Sequence, residues 1–128
     1  MMALAGGQVT AVDPHSEIPG SLETMTANVA AYGVAGRVAI LRETSYSAMP
    51  RLAAAEASFG LIFVDGDHQA EAVRHDVGWA LRLLASGGVL ACHDYSEDCC
   101  CRPGVRQALN ELFPEGGELT NSLFVVRR

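Results

Sequence analysis

The stretch FGLIFVDGDHQAEAVRHD, residues 59–76, decides how this chain is read. It opens on an unbroken apolar run and then turns helical: from Ala70 to Leu84, the residues Ala70, Val73, Val77, Ala80, Leu81 and Leu84 share one stripe. Between the two parts stand Asp65-Gly66-Asp67-His68, two carboxylates and an imidazole where a buried strand stops. An apolar run such as Leu61–Asp65 is expected of a strand covered on both faces, as in a parallel sheet. Gly78 weakens the following helix by about 1 kcal/mol relative to alanine, and Gly87-Gly88 marks its stop.

Outward from this centre the pattern repeats. Gln8–Asp13 reads as a short strand broken by Pro14, and Ser21–Tyr32 as a helix closed by Gly33. Arg37–Leu41 is a second strand, and Tyr46–Ala57 a helix with Pro50 expected in its first turn. Val89–Cys92 is a further strand, Pro103–Phe113 a helix, and Leu119–Val126 a last strand or hairpin. Alternation with short connections implies right-handed βαβ crossovers. The expected fold is therefore an α/β three-layer sandwich. Its mainly parallel, doubly wound (Rossmann-like) sheet ends in an antiparallel strand within Leu119–Val126. Residues 1–128 fit a single domain, with no internal repeat or linker.

Composition removes several functions. The formal net charge is -6 and no basic cluster is present, so nucleic acid is not an expected partner. All nine basic residues are arginines. A chain without lysine has no P-loop, no pyridoxal Schiff base and no kinase phosphate-pairing lysine. It also lacks the lysine of a phosphoacceptor receiver domain. No GxGxxG precedes the strand ending in Asp13, which sets aside a nicotinamide-binding domain. No apolar run approaches the roughly 20 residues that span a bilayer, and MMALAGGQVT lacks the features of a signal peptide. No membrane partner and a cytoplasmic location are expected. Of the four cysteines, Cys92 falls in an apolar strand and reads as core, while Cys99, Cys100 and Cys101 read as reduced, exposed thiols.

Ligands of doubly wound sheets bind beyond the carboxyl ends of the strands. That edge collects Asp13, Glu43 to Ser45, Asp65, Asp67, His68, His93 and Asp94. Asp13 stands about where such folds place the acid that binds a ribose diol, although an aspartate before proline also closes ordinary turns. Asp65-Gly66-Asp67-His68 and Cys92-His93-Asp94-Tyr95 end consecutive strands and should lie close in space. A mixed carboxylate–imidazole set suits a divalent ion, with Asp65, His93 and Asp94 converging and His68 at the rim. The plainer alternative makes Asp65 and Asp94 helix caps. His15 and His75 carry no such context and read as surface residues.

FGLIFVDGDHQAEAVRHDVGWALRLLASGGVLACHDY resembles the strand 4 to strand 5 region of class I S-adenosylmethionine-dependent methyltransferases, in the small-molecule O-methyltransferase branch with the DGDH signature. GQVTAVDP resembles that family's strand 2, RETSYSAMPRL the segment after strand 3, and PGVRQAL the helix after strand 5. The resemblance implies that Asp13 binds the cofactor ribose, that Ser45 faces its adenine and that Asp65 lines the same groove. It implies methyl transfer from S-adenosylmethionine to a hydroxyl of a small-molecule acceptor. Asp65 and His68 would be catalytic, and Mg2+ or Mn2+ would sit on Asp65, His93 and Asp94. His93 departs from the family's usual aspartate. The family's strand 1 and glycine-rich loop are not found ahead of QVTAVD, where only MMALAGG stands. The expectation is thus an N-terminally shortened domain whose open edges favour a homodimer. The alternative is an inactive module that binds or oligomerises.

Overall fold

The computed structural model describes residues 7–95 and 103–128, and divides into two compact units, residues 1–48 and 49–128. In the first, β1 (Val9–Val12) pairs in parallel with β2 (Val38–Leu41), in register from Val9↔Val38 to Val12↔Leu41. The Asp13 N–H continues the pairing to the Leu41 carbonyl at 3.2 Å, so Asp13 stands at the carboxyl end of both strands. Helix α1 (Ser21–Ala31) connects them and contains no fully buried residue. Gly20 (φ 79) precedes it and Gly33 (φ 64) follows it, both in the left-handed region that glycine tolerates best.

Helix α2 (Ser45–Ala54) straddles the boundary between the units, with Ala48 fully buried. It begins a residue earlier and ends three residues sooner than its pattern implies. Pro50 is consequently the sixth helical residue and not in the first turn. There it removes a bond that an N–H at this position would give to Tyr46.

The second unit is built on β3 (Phe59–Val64), β4 (Leu84–Cys92), β5 (Glu118–Thr120) and β6 (Leu123–Arg127), in the order β3-β4-β6-β5. β3 and β4 are parallel, and β6 returns antiparallel to β4 and hairpins with β5, as Leu119–Val126 implies. Helix α3 (Ala70–Leu83) links β3 to β4, and α4 (Pro103–Leu112) packs against α3. Val73, Val77, Leu90, Cys92, Leu109 and Phe124 form the heart of the core. Val77, Leu90 and Leu109 are completely buried, and Tyr95 lies on Phe124 with ring centroids 5.1 Å apart. Burial pushes the Cys92 thiol up to about 12, which marks it as an inert core residue.

Two expectations are corrected here. β3 is not covered on both faces: Ile62 and Val64 pack on the core, whereas Leu61 is 37% and Phe63 55% exposed, and β3 is the end strand of its sheet. An apolar run states a preference, but only a second layer can satisfy it. Gly87-Gly88 does not end α3, because the helix stops at Leu83 and β4 begins at Leu84. The glycines instead form an irregularity within β4, where the pairing jumps from Phe59↔Leu84 to Leu61↔Val89. Gly87 takes φ 76, and a Cβ on Gly88 would lie 2.8 Å from the Ala85 carbonyl oxygen. The Arg128 guanidinium donates to the carbonyls of Leu81 and Leu84, capping the end of α3 with a cation.

Among the described residues, no helix is long and apolar enough to cross a membrane. Cys99, Cys100 and Cys101 lie outside the described residues.

Candidate active site

Val64 and Cys92 are paired in register, so the segments that follow them leave the sheet side by side. The His93 N–H donates to the Val64 carbonyl at 2.9 Å, holding the two exits together. Asp94 adopts φ 60, a left-handed conformation that aspartate tolerates better than most residues. Its side chain is only 14% exposed. The Tyr95 N–H donates to the Ser122 carbonyl at 3.1 Å and its hydroxyl to Asn110 Oδ1 at 3.0 Å, anchoring the far end of the turn.

The polar side chains converge. His68 Nε2 lies 2.7 Å from Asp94 Oδ2. His93 Nδ1 lies 3.2 Å from Asp65 Oδ1 and 3.4 Å from Asp94 Oδ2, and its Nε2 is 3.0 Å from Ser122 Oγ. One ligand atom each from Asp65, His68 and Asp94 lies within 4.8 Å of the others. A cavity of about 10 Å³, room for a single water or ion, is lined by Asp65, Gly66, His68 and His93 among others. The Phe63 ring, on β3, lies 6.2 Å from that of His93.

The donors suit a divalent ion. Two carboxylates this close repel unless a cation or a proton lies between them. A histidine that ligates a metal through one nitrogen is held through the other, as Ser122 holds His93. Magnesium and manganese prefer such oxygen-rich sets, and a cation bound there would act as a Lewis acid on an acceptor oxygen.

The turn before α3 is closed by Asp67, whose Oδ1 accepts from the Gln69 N–H at 2.9 Å. Residues passed over by pattern alone also matter. Asp76 on α3 is nearly buried and contacts His75 at 2.9 Å; a Cβ on Gly66 would come within 3.4 Å of its Oδ2. His75, with a side chain 19% exposed, is thus a partly buried partner of Asp76 and not a plain surface residue. No spacing rule signals the approach of Asp76 to Gly66, because it forms only once α3 packs beside that turn. Ser122 is another such residue, since the β5–β6 turn brings it beside His93 from 29 residues away.

In the first unit, Asp13 is 60% exposed at its side chain, and Ser45 opens α2 in a half-buried position. The reading of His15 as a surface residue is corrected: its side chain is only 5% exposed.

Residues 1–95 match the family described as "Methyltransferase domain". The chain belongs to that family. Solved structures, O-methyltransferases among them, share its fold. CalS11, a TDP-rhamnose 3'-O-methyltransferase of calicheamicin biosynthesis, aligns at a TM-score of 0.73 and 16% identity, over 94% of this chain and 57% of its own. Cofactor-bound Rv0187 from MTB aligns at 0.67 and 25% identity, over 85% and 50%. The O-methyltransferase TomG from Streptomyces achromogenes, in complex with SAM, aligns at 0.67 and 21% identity, over 85% and 51%. This methyltransferase-family chain thus spans about half to three-fifths of the length of these structures. Comparison with curated proteins gives no match. The expected α/β fold, with parallel pairs and antiparallel strands at its carboxyl end, is the one observed.

Proposed function

We propose that the chain supports S-adenosylmethionine-dependent methyl transfer to a hydroxyl of a small-molecule acceptor, assisted by a divalent ion. The observation that carries this reading is that His93 Nδ1 lies 3.2 Å from Asp65 Oδ1 and 3.4 Å from Asp94 Oδ2 while His68 Nε2 lies 2.7 Å from Asp94, at the strand ends of a methyltransferase-family chain. Asp65, His93 and Asp94 would hold Mg2+ or Mn2+, with the His93 Nδ1 that faces both carboxylates available as the nitrogen donor. Asp94 orients His68, whose Nε2 it contacts at 2.7 Å, to take the acceptor's hydroxyl proton. The oxygen so exposed receives the methyl group of the sulfonium donor, and in-line positioning is the remaining task of the fold. In the first unit, Asp13 accepts from the cofactor ribose diol and Ser45 faces the adenine.

Mn2+ titration followed by water-proton relaxation tests the site. Wild type is expected to bind and Asp94→Ala to bind at least tenfold more weakly; equal responses remove the metal from the reading. Calorimetry with S-adenosylhomocysteine tests the cofactor half, and binding unchanged in Asp13→Ala would show that Asp13 has been given the wrong role. A second reading, a self-associating module, is favoured by the apolar end strand β3 with Leu61 and Phe63 exposed. A homodimer follows from either reading, and sedimentation equilibrium decides it.

A further inference from the structure

His15 combines a left-handed backbone with a buried ring nitrogen that has no partner among the described residues. Its backbone lies at φ 52, in the left-handed region, which few residues with a Cβ occupy although histidine does so more often than most. Its ring is nearly buried, yet Nε2 has no hydrogen-bond partner among the described residues, while Nδ1 meets Ser21 Oγ at 2.9 Å. A buried polar atom without a partner is uncommon in a folded protein. Glycine would relieve the backbone and leucine the orphaned nitrogen, so stability alone does not explain a histidine.

What this conformation achieves appears at Asp13. The His15 backbone N–H donates to Asp13 Oδ1 at 2.6 Å, and ring Nδ1 stands 3.9 Å from the same oxygen. Pro14 has no N–H and a fixed φ, so within this turn the first N–H able to reach back to Asp13 is that of His15. The buried ring, held by Ser21, pins the turn in place. One oxygen of an otherwise exposed carboxylate is thereby fixed, and the other is left to accept from a ligand.

We propose that His15 is a positioning residue for Asp13, setting the remaining carboxylate oxygen to accept from a ribose hydroxyl. This rests on the ribose-binding role of Asp13 proposed above. Unexplained strain beside a candidate binding group is the kind of feature that function retains.

The test compares S-adenosylhomocysteine with its 2'-deoxy analogue by calorimetry on the full chain. Wild type is expected to prefer the ribose ligand. His15→Ala is expected to lose roughly tenfold toward S-adenosylhomocysteine while its affinity for the deoxy analogue stays within about twofold. His15→Asn, which tolerates the left-handed backbone and can still meet Ser21, should restore most of the preference. A purely structural role would weaken both ligands alike, and that result overturns the proposal. Asp13→Ala separates the failures. If it loses the preference while His15→Ala keeps it, only the positioning role falls; if it binds as wild type, the role of Asp13 falls too. Wild type that does not distinguish the ligands overturns both. Should His15→Ala not fold, His15→Gly, which relieves the backbone but lacks the ring, takes its place with the same expected loss of preference.

Discussion

Gly104→Ala probes how the candidate base is held without touching it. Gly104 is the second residue of α4, and a Cβ there would stand 2.4 Å from the His68 carbonyl oxygen, 2.6 Å from the Ala70 nitrogen and 3.1 Å from the Gln69 carbonyl carbon. All three are backbone atoms, so no side chain can swing aside. Bringing the shortest of these to an ordinary contact near 3.4 Å requires α4 and the His68–Ala70 segment to part by about 1 Å. Overpacking of this kind costs about 1–3 kcal/mol. For 128 residues, an unfolding entropy of roughly 2.1 cal/mol/K per residue turns 2 kcal/mol into a fall in Tm of about 7 °C. The same displacement carries His68 Nε2 from 2.7 Å to beyond hydrogen-bond range of Asp94 Oδ2. Loss of that partner should weaken Mn2+ binding about tenfold. The assays are a thermal melt by circular dichroism, the imidazole 15N shifts of His68, and the Mn2+ titration. A melt within about 1 °C of wild type, with the His68 resonance unmoved, would refute the claim that Gly104 sets the position of His68.

Three further expectations follow from the packing and the titration of single groups. Leu90→Ala, at a completely buried strand position, should lose about 2–5 kcal/mol in urea denaturation; a loss below about 1 kcal/mol would mean that the core collapses around the deletion. The Cys92 thiol, pushed up to about 12 by burial, binds its proton more tightly in the folded than in the unfolded chain. Its contribution to stability is therefore fully present below pH ~9 and lost as the pH rises toward 12. Cys92→Ala should flatten that alkaline loss in urea titrations, and native Cys92 should resist alkylation at pH 8 until the chain unfolds. Phe63→Lys should lower any dimer fraction in sedimentation equilibrium while changing monomer stability by less than about 1 kcal/mol, because Phe63 is 55% exposed; an unchanged dimer places the contact elsewhere.

Much of this protein is legible in one dimension because its signals are local. The stripe from Ala70 to Leu84 forecasts α3 to within a residue of its end, since burying one face at a period of 3.6 suffices to make it a helix. Strands ending in Asp65 and Cys92 are equally plain, and their pairing brings DGDH and HDY together, with His68 and Asp94 in contact as adjacency implies. Composition alone removed the lysine chemistries. Tertiary structure decided what depends on a second surface. Whether the apolar residues of β3 are covered is settled by what lies against each face, and Leu61 and Phe63 remain exposed although their residue types suggest otherwise. Gly87-Gly88 could equally end a helix or bend a strand, and only pairing with β3 and Arg128 chose the strand. His15, read from the sequence as a surface residue, is buried where a left-handed turn after Pro14 brings its ring to Ser21. A pattern records which residues prefer to leave water, but which neighbour receives them is fixed only when distant segments meet.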